Sequence, residues 1–226
     1  MYTVQNIVCT CNLGSTLYLP GLVQALRVAE YNPKRFAAVT YRLRYPRSTC
    51  LIFGSGRLVC AGTKTLNQAR LALLYYVDAV RKTGLQVDVY EFRVQNMVAS
   101  ATLPHGLDLG RIFTEHSEES SYEPELFPGL IFRGTVPCVF LLFDSGRMVI
   151  TGGKNEAQIA ESYAFIVPLV KGFSAPRGRG ASRVHKSLLR QHVPVEVLEE
   201  DWAYGAAVSP AATEGAETPY EDAGPG

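Results

Sequence analysis

The chain has 226 residues and 24.8 kDa, of which 47% are hydrophobic and 19% charged; that suffices for one sizeable core or two small ones and excludes a disordered or fibrous chain. Twenty-two Lys and Arg against 21 Asp and Glu leave a net charge of +1, which by itself selects neither for nor against a polyanionic partner. No apolar run reaches the about 20 residues of a membrane span and residues 1–6 lack the regions of a secretory signal, so a soluble, intracellular protein is expected. The five cysteines (Cys9, Cys11, Cys50, Cys60, Cys138) are odd in number and sit in apolar or β-rich stretches. They read as buried residues of a reducing compartment, without a disulfide framework.

In chain order, residues 4–10 are apolar and β-branched and predict a strand. Helical spacing covers 22–30 and ends before Asn32-Pro33, which forbids continuation. Strands follow over 37–44, 49–53 and 57–61, the last two joined by the hairpin turn Gly54-Ser55-Gly56. A long helix over 66–82 carries Ala69, Leu73, Tyr76, Val77 and Val80 at helical spacing and stops at Gly84. The pattern then starts again, closing with a helix near 156–167. Val4-Gln5-Asn6-Ile7-Val8 returns as Val94-Gln95-Asn96-Met97-Val98, Tyr31-Asn32-Pro33-Lys34-Arg35-Phe36 as Tyr122-Glu123-Pro124-Glu125-Leu126-Phe127, and Phe53-Gly54-Ser55-Gly56-Arg57 as Phe143-Asp144-Ser145-Gly146-Arg147, at offsets of 90 or 91 residues. Two copies of so long a period predict tandem half-domains, 1–89 and 90–173, related by a pseudo-twofold axis. The expected class is α+β, an antiparallel sheet with helices on one face.

If helices cover one face, the other is expected to expose Val8, Leu51, Phe53 and Val59 with their repeats Val98, Leu141, Phe143 and Val149, an apolar patch of the kind that marks a binding surface. Charge adds a second constraint. Residues 1–89 hold 11 Lys/Arg and 3 Asp/Glu, and residues 90–173 hold 6 and 10. Arg42 and Arg133, and Arg57 and Arg147, nonetheless fall at equivalent positions. An apolar sheet rimmed by paired arginines suits a DNA minor groove, with cations on phosphates and flat contacts on bases. Beyond the repeats, 174–190 carries five basic residues and no acid, and 191–226 carries eight acids and no Lys or Arg. The expectation for 174–226 is a disordered tail, in which 193–204, with Leu198, Trp202 and Tyr204, is a candidate docking motif.

At these residues the chain resembles the TATA-box-binding proteins of eukaryotic type over essentially all of 1–173. The resemblance rests on Gln5-Asn6-Ile7-Val8, Ala29-Glu30-Tyr31-Asn32-Pro33-Lys34-Arg35-Phe36, Gln95-Asn96-Met97-Val98, Ser120-Ser121-Tyr122-Glu123-Pro124-Glu125-Leu126-Phe127 and Lys171-Gly172-Phe173. That family is itself the type case of minor-groove binding with DNA kinking. The resemblance implies a ten-stranded saddle with helices on the convex face, acting in the nucleus as a general initiation factor on TATA-like, A/T-rich double-stranded DNA. Phe36 with Phe53, and Phe127 with Phe143, match the wedges that pry open base steps. Asn6 and Asn96 match donors to adenine and thymine acceptors; Val8, Leu51, Val59, Val98, Leu141, Val149 and Thr151 match the groove-facing floor. Arg35, Arg42, Arg57, Arg133, Arg147, Ser55 and Ser145 match phosphate contacts. Glu123, Glu125 and Leu126 match the stirrup gripped by general factor IIB, and Glu30 and Arg44 match contacts to factor IIA.

Departures from the family pattern are as informative. Ala61 stands where Thr is expected, as at Thr151. Asp144 replaces an apolar residue beside Phe143, residues 73–78 replace a strongly basic helix, and Val28 replaces a polar residue near the factor IIA region. An alternative is therefore a divergent relative that acts mainly by binding initiation factors. No enzymatic reading, membrane association, small-molecule substrate, metal or cofactor is expected. Gly152-Gly153-Lys154 lacks the first glycine and the Ser/Thr of a phosphate loop, Val59 replaces the third glycine of a dinucleotide loop, and the Cys and His residues lack ligand spacing.

Overall fold

A computed structural model describes residues 1–176. The first repeat runs β1 (Tyr2–Asn12), α1 (Leu19–Ala25), β2 (Ala29–Asn32), β3 (Phe36–Leu43), β4 (Ser48–Phe53), β5 (Arg57–Thr63) and α2 (Leu66–Arg81). The second runs β6 (Tyr90–Thr102), β7 (Gly106–Leu107), α3 (Leu109–Glu115), β8 (Ser120–Ser121), β9 (Leu130–Arg133), β10 (Val139–Leu142), β11 (Arg147–Gly153), α4 (Glu156–Lys171) and β12 (Ser174–Ala175). Ten strands form one antiparallel sheet in the order β2-β3-β4-β5-β1-β6-β11-β10-β9-β8. The two copies meet at the β1–β6 seam, where Asn6 lies opposite Val98 and Val8 opposite Asn96. Across it Gln5 Nε2 donates to Ser100 Oγ (2.9 Å) and Gln95 Nε2 to Thr10 Oγ1 (2.8 Å), one contact made twice.

The duplicated glycines have a duplicated cause. Gly56 (φ +87°) and Gly146 (φ +79°) close the β4–β5 and β10–β11 hairpins in the left-handed region. A Cβ there would lie 2.1 Å from the Ser15 carbonyl oxygen or 2.0 Å from that of His105, so no other residue fits. The long helices start alike as well. Thr65 Oγ1 and Asn155 Oδ1 accept the Gln68 and Gln158 amides, while those glutamines accept the Lys64 and Lys154 amides in return; reciprocal capping fixes each first turn.

Three boundaries differ from the sequence reading. The first helix lies three residues earlier than expected, since Pro20 is tolerated in its first turn and residues 29–32 pair with β3 instead. That pairing supplies a strand the periodicity did not reveal. Helix α4 continues past Pro168 because the added turn carries Val170 into the core, where Phe173 follows. Residues 174 and 175 pair with β7, so the first residues of the expected tail belong to the folded body. The basic and acidic stretches and the motif at 193–204 lie outside the described residues, apart from 174–176.

All four helices pack on one side of the sheet, in a core that contains Ile7, Cys9, Ile52 and Leu58 from the strands and Leu22, Tyr76, Ile112 and Ile166 from α1 to α4. The five cysteines are free and buried, as the sequence predicts. Cys50 and Cys60 sulfurs approach to 3.3 Å, and burial pushes the Cys11 thiol up to about 12, so these thiols stay protonated and unreactive. No helix among the described residues is long and apolar enough to cross a membrane.

Candidate nucleic-acid interface

The opposite face of the sheet carries two separate apolar clusters, and no helical residue contributes to either. One joins Val8, Ala38, Phe53 and Val59 with Phe36, Leu51 and Ala61; the other joins Val98, Phe143 and Val149 with Phe127 and Leu141. Strand alternation accounts for the division, since Ile7 and Cys9 point to the helices and Val8 points away. The predicted floor residues are thus brought together on one helix-free surface. Its predicted exposure is corrected. Val8 is 0% exposed, Phe53 2% and Phe143 1%, whereas Leu51, Leu141, Phe36 and Phe127 are partly exposed.

The cause of this cover is visible at each end. Phe36 meets Phe53 edge to face, with ring centroids 6.0 Å apart at 69°, and Phe127 meets Phe143 at 5.9 Å and 67°. In each pair one ring shields the other. Gly129 sits beneath the second pair. A Cβ there would approach Phe127 to 2.7 Å and Phe143 to 2.9 Å, so the glycine makes room for both rings.

At the centre stand Asn6 and Asn96, both buried. Each carboxamide oxygen accepts a backbone N–H, from Gly62 (2.7 Å) and Gly152 (2.8 Å). Those glycines have φ of +107° and +96°, and they were not singled out from the sequence; glycines recurring at the repeat offset beside each asparagine's partner strand were the available signal. Thr151 Oγ1 accepts from Asn96 Nδ2 at 3.2 Å. Ala61 offers Asn6 nothing comparable, and Asn6 Nδ2 has no hydrogen-bond partner among the described residues.

The predicted phosphate contacts lie outside this floor. Arg35, Arg42, Arg133 and Arg147 are exposed, and Arg57 and Ser55 are half-buried. Ser55 Oγ accepts the Arg57 amide at 3.3 Å, while Ser145 Oγ is buried without a partner among the described residues. Arg42 forms an ion pair of 2.6 Å with Glu30, which couples a predicted DNA contact to a predicted factor contact. Arg44 is exposed nearby in sequence. In the second repeat Glu123, Glu125 and Leu126 project from a tight turn, with the Leu126 and Phe127 amides on the Glu123 carbonyl. Leu126 is 82% exposed, an apolar side chain that directly follows the two acidic residues of the turn. On α2, Leu73, Tyr76 and Val77 are buried and Leu74, Tyr75 and Asp78 are exposed, so only part of the divergent segment changes the surface.

The family model for "Transcription factor TFIID (or TATA-binding protein, TBP)" matches residues 1–83 and 91–173. The chain belongs to the TATA-binding protein family. It is 49% identical over 174 residues to the TATA-box-binding protein of Caenorhabditis elegans, covering 76% of this chain and 51% of that one. It is 48% identical over 171 residues to the TATA-box-binding protein of Xenopus tropicalis, covering 75% of this chain and 58% of that one. The chain thus spans about half the length of the curated relatives it matches. A solved Methanococcus jannaschii TBP superposes with a TM-score of 0.66 at 34% identity, covering 76% of this chain and 98% of the other. The two matched segments coincide with the two structural repeats, and the TATA-binding protein family is one of transcription factors rather than enzymes.

Proposed function

We propose that this chain is a nuclear general transcription initiation factor that binds TATA-like DNA through the minor groove, bends it and nucleates preinitiation complex assembly. The observation that carries this reading is the helix-free face, with a phenylalanine pair at each end, two asparagines at the centre and arginines outside. A duplex laid along it meets apolar floor and hydrogen-bond donors; adenine N3 and thymine O2 accept from such donors, and the guanine amino group does not. Opening a base step at each phenylalanine pair costs a few kcal/mol, offset by the contact that bent DNA makes with the sheet. Arg35, Arg42, Arg57, Arg133 and Arg147 are assigned to phosphates.

Residues 1–89 and 90–173 are assigned as the two DNA-binding halves. Glu123, Glu125 and Leu126 are assigned to factor IIB, a reading supported by the exposure of Leu126, and Glu30 and Arg44 to factor IIA. A second reading, a divergent relative that works mainly through initiation factors, is favoured by Ala61, Asp144 and the Glu30 carboxylate on Arg42. A mobility-shift titration on TATA-containing and scrambled duplexes, with and without factor IIB, separates the two. Tight TATA-selective binding by the chain alone supports the first; binding only with factor IIB supports the second; no binding in either condition overturns both.

A further inference from the structure

We propose that Ala61 and Thr151 make the two halves of the floor read the minor groove unequally, so that the Asn6 half rejects a guanine amino group more strictly than the Asn96 half and thereby orients the protein on DNA. The inference rests on the minor-groove reading above.

The Gly62 amide donates to Asn6 Oδ1 at 2.7 Å, and this contact fixes which end of the carboxamide is nitrogen. Asn6 Nδ2 is then a donor, buried and without a partner among the described residues. Asn96 is held in the same way by Gly152, but its nitrogen donates to Thr151 Oγ1. The same hydroxyl donates to Asn96 Oδ1 at 3.4 Å, and its oxygen keeps a second lone pair able to accept another hydrogen bond. Ala61, which lies opposite Val8 on the neighbouring strand, presents a methyl group instead. The Asn6 half of the floor therefore offers an unpartnered donor beside a methyl group, and the Asn96 half offers an acceptor in the Thr151 oxygen.

In the minor groove a G·C pair differs from A·T by the guanine amino donor. Beside Thr151 that group meets an oxygen able to accept from it. Beside Asn6 and Ala61 it meets an N–H and a methyl, so both donors stay unsatisfied in a site closed to water. An A·T pair reverses the balance, because its acceptors satisfy the orphan Asn6 nitrogen. One central G·C pair is consequently tolerated under the second repeat and rejected under the first.

The test uses the full chain and 20-base-pair duplexes whose A·T core carries one G·C, one inosine·C or no replacement at a single central position. Orientation is read from strand cleavage by an iron chelate tethered at Ser121→Cys, an exposed site in a protein whose five native cysteines are buried. On the G·C duplex the expected result is about a tenfold bias toward the orientation with Thr151 over the replaced pair. The bias vanishes with inosine, which lacks the amino group, and with Ala61→Thr, which restores the hydroxyl. Thr151→Ala also removes the bias, by making both halves strict, and lowers affinity for the G·C duplex alone. Equal cleavage from both orientations on the G·C duplex, or a bias that persists with inosine, overturns the inference while leaving DNA binding intact. Failure to bind the all-A·T duplex overturns the minor-groove reading itself.

Discussion

The two repeats share a scaffold and differ in surface chemistry. What the backbone requires recurs almost without change: left-handed glycines at 56 and 146, glycine amides on Asn6 and Asn96, reciprocal caps at Thr65 and Asn155, and phenylalanine pairs whose separations agree to 0.1 Å. What lies on the surface has diverged. Residues 1–89 carry an excess of eight basic residues and residues 90–173 an excess of four acidic ones. The equivalent turns before Phe36 and Phe127 hold Lys34-Arg35 in one copy and Glu125-Leu126 in the other. Duplication accounts for the symmetric scaffold, and substitution on its rim gave the two ends opposite charge.

The sharpest test of the shared part is to remove the phenylalanine pairs one ring at a time. Phe53→Ala and Phe143→Ala each empty a buried ring site, and each is expected to lower stability by about 3 kcal/mol, seen as a fall in thermal midpoint, as well as to reduce DNA bending. Phe36→Ala and Phe127→Ala remove half-buried rings, so the midpoint falls less for a similar loss of bending. Bending is measured as the end-to-end distance of a doubly labelled duplex at saturating protein. If the two ends are equivalent, the Phe36 and Phe127 variants lose bending equally; unchanged bending in all four removes the wedge assignment.

The divergent turns give the next largest effect. Glu125→Arg places the first repeat's chemistry on the second repeat's turn. It is expected to weaken factor IIB capture by at least about tenfold, the size of effect typical of one interfacial hot spot. DNA affinity should change less than about threefold, since the residue lies off the groove-facing floor and a rim charge adds little to affinity. A native-gel titration with factor IIB and a separate duplex titration read the two quantities. A loss of DNA binding equal to the loss of factor capture would mean that this turn contacts DNA as its counterpart does.

How much of this was legible in the sequence follows the same division. Duplicated motifs gave the repeats, the alternation of Val8 and Val59 with Ile7 and Leu58 gave the two faces, and Gly54-Ser55-Gly56 gave the hairpin. Strand β2 was missed because residues 29–32 become a strand only through long-range pairing with β3, which no local pattern encodes. The end of α4 was placed near 167, but the helix runs through Pro168 to Lys171; burial of Val170 outweighs the donor that proline lacks. Exposure of Phe53 and Phe143 was misjudged for a related reason, since the shielding of Phe53 by Phe36 depends on residues 17 positions apart. The orphan Asn6 nitrogen was only half visible. Ala61 signals a missing hydroxyl, but that the amide's other end is fixed by Gly62 is a fact of geometry.

Arginines at equivalent positions offer a subtler comparison. Arg42 is held by Glu30 at 2.6 Å, whereas Arg133 forms no such pair among the described residues. Arg133→Ala is expected to lower the slope of log affinity against log salt by about 1 and to weaken all duplexes alike. Arg42→Ala should weaken binding less, because the guanidinium must exchange a carboxylate for a phosphate. Glu30→Gln releases it, and an affinity gain of about twofold to threefold that Arg42→Ala abolishes is the expected signature. Equal effects of the two arginine variants, with no gain from Glu30→Gln, would show that the ion pair does not compete with DNA.

The smallest effect is expected where Asp144 stands opposite Gly54 in the repeat. Both residues follow a phenylalanine, Phe53 or Phe143, at the mouth of a hairpin, and the Gly54 and Asp144 carbonyls are engaged alike by the Leu17 and Leu107 amides at 2.9 Å, so the backbone is tied down in both copies and only the carboxylate distinguishes the second. A partly exposed charge close to DNA phosphates repels them through a screened interaction. Asp144→Asn removes the charge at nearly constant shape and keeps the backbone contact. Affinity for every duplex is expected to rise by about twofold to threefold at low salt, and the gain should shrink as ionic strength increases. Preference among base sequences should not move, which distinguishes this change from Ala61→Thr, whose effect is confined to one central pair. Dissociation constants for the parent and Asp144→Asn on one TATA duplex and its scrambled counterpart, each at three salt concentrations, decide the matter. A gain limited to the TATA duplex would place the carboxylate against a base edge; no gain at any salt would mean that the DNA path passes clear of this hairpin, and that the second repeat's acidic excess serves its protein partners alone.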